Sequence, residues 1–549
     1  MKKLRMFILC AAVVGMFLAT AYPAMAAYYD VCGKQVAVEG FIRQEFGFNT
    51  NSSSEYKTNQ TGLQSAYMMA YLDTHLELGR SWDVRGIYRL WGDWIYAIRG
   101  DHGHFERYFE SSRKNLQIDD SFDQILREFY VSYYGDKFMV RAGKQQIGWG
   151  EADGLRLMDV INPLDARREF LFYDTEGYEE ARIPKWMLKT EFYTGSFGPI
   201  LDTSVELYWN PGDVKETGEL LPTFAEVHRA GGLFQPGLWP MGSQKQWGVW
   251  GVPQNFVPLP VQFYKKERAT ALKNSEYGAR IKLNYWNTFI TLNYWQGFQQ
   301  DCVLDFGGFI IPHPAGWAGP PLNLGVPAAL RMDREFKRMR VLGFTVNREL
   351  YGVGALCNQV ANPVLRIEAL YEFEKFFNTG NTPLPFDALV LRKYDQIRYM
   401  IGFDWSMKWK WINPGKNVFV SGQFFHQHTL KYRGGLDAPR PVPLYTWTYP
   451  KNQFYSSLLL RTEYFNERVV PSILTVYDHH CQAMWMKSKV DFKVGDHWRP
   501  QIGYLWIKRH NNHTQTIAGP GTPTISDNWK SFGIFEDRDQ VWVRIQYQF

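Results

Sequence analysis

Residues Leu126–Phe170 read LREFYVSYYGDKFMVRAGKQQIGWGEADGLRLMDVINPLDARREF, and the first half of that stretch decides the fold. Phe129, Val131 and Tyr133 alternate with Glu128, Tyr130 and Ser132 up to a Gly135-Asp136 turn. Beyond it Phe138, Val140 and Ala142 alternate with Met139, Arg141 and Gly143. Period-two alternation on both sides of a tight turn is the pattern of two antiparallel strands with one apolar and one polar face. The second strand then opens into a long, charged, glycine-bearing loop. Short turn at one end, long loop at the other, is the repeating unit of a transmembrane β-barrel.

The unit recurs. Glu276–Tyr285 and Thr288–Gln296 form the plainest hairpin, with Tyr277, Ala279, Ile281, Leu283 and Tyr285 on one face and Arg280, Lys282 and Asn284 on the other. Val364–Glu374 sets Leu365, Ile367, Ala369, Tyr371 and Phe373 against Arg366, Glu368 and Glu372. Counting such stretches predicts an all-β, antiparallel transmembrane barrel of about 18 strands, with roughly 16 as the alternative. Short turns would face the periplasm, and long loops at 93–124, 147–185, 210–275 and 297–338 the outside. The last strand ends the chain on Phe549, after Val541, Val543, Ile545 and Tyr547 alternate with Trp542, Arg544, Gln546 and Gln548. A terminal strand of this kind resembles the signal by which barrel assembly machinery recognises outer-membrane proteins, so that machinery is an expected partner.

Composition agrees. The chain is 17% aromatic yet 21% charged, and its mean hydropathy is −0.35. Barrels escape hydropathy averages because half of each strand faces water, while aromatic girdles sit at the membrane interfaces. Residues 1–26 read as a secretory signal, with Lys2, Lys3 and Arg5 before an apolar core and Ala24-Met25-Ala26 at its end. Removing those three charges from a net of +6 leaves +3, too mild to imply nucleic acid. No later run reaches the roughly 18 apolar residues of a spanning helix. The expected plan is a signal peptide over 1–26, one barrel domain over 27–549, and an address in the outer membrane of a Gram-negative bacterium, with outer-membrane lipids as surroundings.

In a barrel the polar faces line the lumen. They bring Arg85, Arg89, Arg141, Arg280, Lys282, Arg366, Arg398, Arg461, Lys487, Lys489 and Arg544. Against these stand Glu39, Asp73, Glu77, Glu128, Glu368, Glu372, Asp404, Glu463 and Asp491. The two signs interlace, which suits a salt-bridged wall or a mildly anion-tolerant pore lining. The loop after the opening hairpin is the candidate constriction, through Glu151, Asp153, Arg156, Asp159, Asp165, Arg167 and Arg168. Its glycines permit tight backbone, and Pro163 with Asp165-Ala-Arg-Arg could start a short helix. Folded inward, the loop would set acids and arginines across the channel; folded outward, it would be held by its own ion pairs. The loops at 210–275 and 297–338 are unusually apolar for loops, as for a lid or a surface that captures an apolar molecule. Of the cysteines left after cleavage, Cys32 and Cys357 fall on the short-turn side and Cys302 and Cys481 in outer loops. Pairing Cys32 with Cys357 and Cys302 with Cys481 avoids crossing the membrane. No metal site, cofactor or nucleophile–His–acid cluster shows at recognised spacing.

The run KQQIGWGEADGLRLMDVINPLDARREF, with the hairpin before it and DRDQVWVRIQYQF closing the chain, resembles the domain of unknown function 1302 family of large Gram-negative outer-membrane barrels. The resemblance implies export or envelope traffic with a periplasmic or RND-type partner, and supplies no catalytic residues. The reading is of a channel or export conduit and not an enzyme; the alternative is a lipid- or hydrophobic-compound transporter with a loop-plugged lumen.

Overall fold

The alternating stretches pair edge to edge until the sheet meets itself. The computed structural model describes residues 27–31, 33–50, 62–94, 119, 121–165, 179–213, 261–265, 270–301, 303–310, 329–379, 390–434, 437–439, 449–509, 514–516, 524–526 and 539–549. The signal segment 1–26 lies outside them. The first six barrel strands are β1 Lys34–Asn49, β2 Gly62–Glu77, β3 Trp82–Asp93, β4 Leu126–Tyr134, β5 Phe138–Gln145 and β6 Lys185–Phe197. Then come β7 Ile200–Asn210, β8 Glu276–Tyr285, β9 Thr288–Phe298, β10 Arg338–Glu349, β11 Val364–Thr379 and β12 Val390–Met407. The last six are β13 Val418–Thr429, β14 Asn452–Arg461, β15 Val469–Asp478, β16 Ala483–Phe492, β17 Gln501–Arg509 and β18 Gln540–Gln548. Each is antiparallel to the next, and β18 pairs back onto β1, so 18 strands form a closed cylinder.

The seam joins the two ends of the chain. Phe41–Asn49 of β1 faces Gln548–Gln540 of β18, and Gly40 and Phe549 exchange both backbone hydrogen bonds at 2.9 Å. Glycine suits position 40, because a Cβ there would lie 2.9 Å from Cζ of the Phe549 ring. Past that point a short strand, Ala27–Val31, takes over the same edge of β1 by pairing with Lys34–Val38.

One face of every strand must meet lipid. Leu207, Leu292, Leu342, Ile401, Phe403, Leu458, Ile473 and Ile545 all stand exposed on the outside. Such side chains gain about 1.5–3 kcal/mol each on leaving water. At the short-turn end the band is bounded by aromatic pairs, Trp82 with Tyr133 at 4.7 Å and Trp498 with Tyr547 at 5.1 Å. At the long-loop end Tyr277 meets Tyr294 at 6.4 Å and Tyr371 meets Phe373 at 4.4 Å. An apolar belt between aromatic girdles, on a sheet with no open edge, is the build that spans a bilayer with strands. Among the described residues no helix is long and apolar enough to cross a membrane.

Two features differ from the sequence expectation at the short-turn side. β14 ends at Arg461 and not at Phe465. Tyr464 bridges to Val469 through a turn in which Phe465, Asn466 and Glu467 all take positive φ. Glu463 therefore sits at the rim, 3.6 Å from Arg461, and not on the lumen wall. Cys357 caps the short helix Val353–Leu356 as an exposed free thiol, so the Cys32–Cys357 bridge is not formed. Topology explains this: Cys357 lies in the turn between β10 and β11, while Val31 and Gly33 border the start of β1, half the circumference away. Cys32 itself lies outside the described residues, as does Cys302, the partner expected for Cys481. Cys481 occupies the tight turn between β15 and β16 and not a long loop. At the other end, parts of the two apolar loops meet: Val303–Ile310 and Val261–Lys265 both pair with Ala329–Glu335 in a three-stranded sheet.

Candidate functional site

The segment from Gln146 to Asp165 enters the barrel. It leaves β5 and crosses the lumen, and its tip at Gly154 reaches β15, where a Cβ would lie 3.0 Å from Cγ2 of Val476. The segment carries its own apolar anchors. Ile147, Trp149, Leu157, Met158 and Ile161 are buried against inward-facing Met187, Tyr208, Trp295, Val341, Leu370, Met400 and Phe425. Burying side chains of this size is what draws a charged loop into a lumen. The wall leaves space for two of them. A Cβ on Gly278 would meet Cη2 of Trp149 at 2.7 Å, and one on Gly343 would meet Sδ of Met158 at 2.3 Å.

Polar groups fix the loop in register. The Glu368 carboxylate accepts the backbone N–H of Glu151, and that of Met158 at 3.2 Å. The Glu151 side chain accepts from Asn347. Arg366 binds Asp153 and Asp404, both at 2.7 Å, while Gln423 donates to Asp153 at 2.9 Å. Trp149 donates to Glu206 at 2.8 Å. Arg156 donates to the Asn162 carbonyl at 2.7 Å and to Gln300 at 3.0 Å. Asp159 is held by Arg182 at 2.7 Å, and Asp165 lies 3.5 Å from Arg89. The returning limb is clasped on the near wall, by Arg127 at the Glu179 and Arg182 carbonyls and by Arg43 at Glu180. Arg127 reaches inward because the β3–β4 register slips beside it, between Ile87 and Tyr88. Five expected constriction residues, Glu151, Asp153, Arg156, Asp159 and Asp165, are thus brought together inside the barrel. Arg167 and Arg168 lie outside the described residues; Pro163–Asp165 is extended, with Leu164 bridged to Arg182.

The wall charges named from the sequence face inward, apart from Arg461 and Glu463 at the rim. Arg85 pairs with Asp73 at 2.5 Å, Lys282 with Glu191 and Glu206 at 2.9 Å, Arg398 with Glu372 at 3.2 Å and Arg544 with Glu45 at 2.6 Å. Glu128 accepts from Gln146, Arg141 stacks on Tyr130, Lys487 lies over Trp542, and Arg280 is buried on β8. Near the short-turn end Glu39, Asp73, Arg85, Tyr130 and Arg141 line a cavity of about 760 Å³. The lining is not wholly polar. Trp91, Leu474, Val476, Trp485, Leu505, Ile507 and Trp542 form an inward apolar cluster. Sequence reading overlooked this cluster along with Arg43, Arg127, Glu191 and Glu206; Arg43, Glu191 and Glu206 had a usable signal, in the alternation of β1, β6 and β7.

The family model described as "Protein of unknown function (DUF1302)" matches residues 7–549. The chain belongs to the DUF1302 family. No curated protein matches it. Among solved structures, this DUF1302 chain is similar to the outer membrane channel DcaP of Acinetobacter baumannii, with 9% identity, 96% of this chain and 100% of that one covered, and a TM-score of 0.37. It is also similar to Pseudomonas aeruginosa OpdK with vanillate, at 6% identity, 94% and 98% coverage and a TM-score of 0.41. For Acinetobacter baumannii OccAB1 the figures are 7%, 94% and 96%, and 0.42. Likeness this weak carries nothing about function.

Proposed function

We propose that this DUF1302 protein is a conduit across the outer membrane of a Gram-negative bacterium, in which the inserted loop governs passage. One observation carries the reading: the Glu151–Met158 tip is bonded to the far wall at Glu368, Arg366 and Gln423. A segment so placed narrows any route along the barrel axis, and its acids and arginines meet whatever solute passes. The short turns would face the periplasm, where a periplasmic or RND-type partner would couple to export; assembly machinery would recognise the strand ending at Phe549. The reading is of transport and not of catalysis.

The apolar inner cluster around Trp485 and Trp542 favours a second reading, a transporter for hydrophobic compounds whose lumen the loop closes. Planar-bilayer recording separates the two. A conduit gives discrete current steps that scale with salt. A closed barrel gives none, and binds a fluorescent fatty acid instead.

A further inference from the structure

We infer that the outward rim of β10–β12, at the long-loop end, binds the phosphate groups of outer-leaflet lipids. The inference rests on the barrel standing in an outer membrane with its long loops outside. On β10 the outward positions run Arg338, Arg340, Leu342, Phe344; the two apolar side chains are 53% and 40% exposed, as befits the belt, and the two arginines are exposed as well. The strand thus passes from hydrocarbon-facing to charged within one outward step. On the same arc of wall, Lys393 of β12 stands outward beside Phe376 of β11.

Each of these cations lies over an outward ring. The Arg338 guanidinium carbon is 4.7 Å from the Phe298 ring centre and that of Arg340 is 5.5 Å from Phe373. Lys393 Nζ is 5.1 Å from Phe376. Rings at the interface hold a cation against the wall without neutralising it. The protein supplies less negative than positive charge here: besides Glu374, the outward carboxylate of Asp395 accepts from the Tyr371 hydroxyl and the Glu374 N–H and forms no ion pair among the described residues. Arg340 at 3.6 Å and Lys393 at 3.3 Å share the one carboxylate of Glu374. Arg338 donates to the carbonyls of Lys273 and Ser275 and forms no ion pair among the described residues. On the adjoining strands His426 and His428 share Asn452 as partner, at 3.0 and 2.6 Å, and continue the polar rim. The neighbouring arc differs: along the rim of β6–β8 the outward strand ends carry the exposed aromatic side chains Trp186, Trp209 and Tyr277.

Side chains facing outward at this height meet the plane where acyl chains give way to headgroups. A planar guanidinium fork matches the oxygens of a phosphate, and a basic surface at a headgroup plane selects anionic lipid. A lipid fits better than a free ion, because the same rings and the belt below them offer apolar contact to acyl chains.

The test uses the full mature barrel in detergent, titrated with bisphosphorylated lipid A, with the same glycolipid stripped of phosphate, and with inorganic phosphate, and read by native mass spectrometry. Wild type should retain the phosphorylated lipid. The variant Arg338→Gln/Arg340→Gln/Lys393→Gln should bind it about a hundredfold more weakly, at roughly one unit of headgroup attraction per cation. Heat-modifiable migration on gels reports that the variant is folded. Arg348→Gln, outward at the other end of β10, should leave retention unchanged. Equal retention by the triple variant, or of the stripped glycolipid by wild type, overturns the inference, as does full displacement by inorganic phosphate. Failure of the wild-type barrel to insert into lipid vesicles would instead bring down the membrane reading, and this inference with it.

Discussion

Replacing Trp149 by alanine should unseat the lumen loop. The indole is 1% exposed, donates to Glu206 at 2.8 Å, meets Tyr208 edge-on at 5.7 Å and lies over the bare backbone of Gly278. These contacts belong to β7 and β8, so a lifted loop has none of them. Truncating a buried aromatic to alanine costs about 3–5 kcal/mol. Here the cost falls on the seated state alone, and at 1.4 kcal/mol per factor of ten the ratio of seated to lifted loop drops by about 10² to 4 × 10³. In planar bilayers the wild type should show small, steady current steps. Trp149→Ala should show larger ones, or frequent excursions to them. Trp149→Phe keeps most of the packing, loses the hydrogen bond, and should fall between. Should the alanine variant fold, as judged by heat-modifiable migration, yet conduct as wild type does, the loop does not control the lumen.

Three further outcomes are expected. Arg366→Ala leaves the Asp153 and Asp404 carboxylates without their shared cation, which costs roughly 2–4 kcal/mol at this mostly buried position; thermal unfolding should shift down, and Arg366→Ala/Asp153→Ala should lose less than the sum of the single variants. Deleting Phe549 removes both backbone hydrogen bonds to Gly40 and the ring packed over it; the yield of heat-modifiable barrel should fall severalfold, while deleting a residue from the turn at Gly495 should be milder. Cys357 should react with maleimide without prior reduction, and in whole cells only after the outer membrane is opened to a charged reagent; reaction in intact cells would reverse the proposed orientation.

The barrel was legible because lipid outside and water inside impose a period of two. Glu276–Tyr285 starts and stops where its alternation does, and the interlaced lumen charges follow from the same parity. What a period cannot encode is a break in the period. Arg127 lies on the apolar parity of its strand and is turned inward by a one-residue slip of register, so its clasp on the returning limb was invisible. Nor does parity say what an inward glycine is for: Gly278 and Gly343 are sockets only because Trp149 and Met158 arrive from another part of the chain. The loop's charged residues mark it as a constriction, but its apolar ones, buried against the inward wall, hold it in the lumen as well. The rim position of Glu463 was missed because three consecutive left-handed residues ended the strand early.

The seam between β1 and β18 also bears on how such a protein can be made. Arg43 and Gln546, paired across the seam, are 503 residues apart, and bringing chain ends together over that span costs about 5–6 kcal/mol of entropy before a single seam bond forms. Until the 9 residues of β18 arrive, a nascent sheet offers raw N–H and C=O groups along two borders, which hydrocarbon cannot tolerate. Insertion and completion are therefore one event: a ribosome that stalls a few codons early yields no smaller pore, only a sheet with nowhere to go.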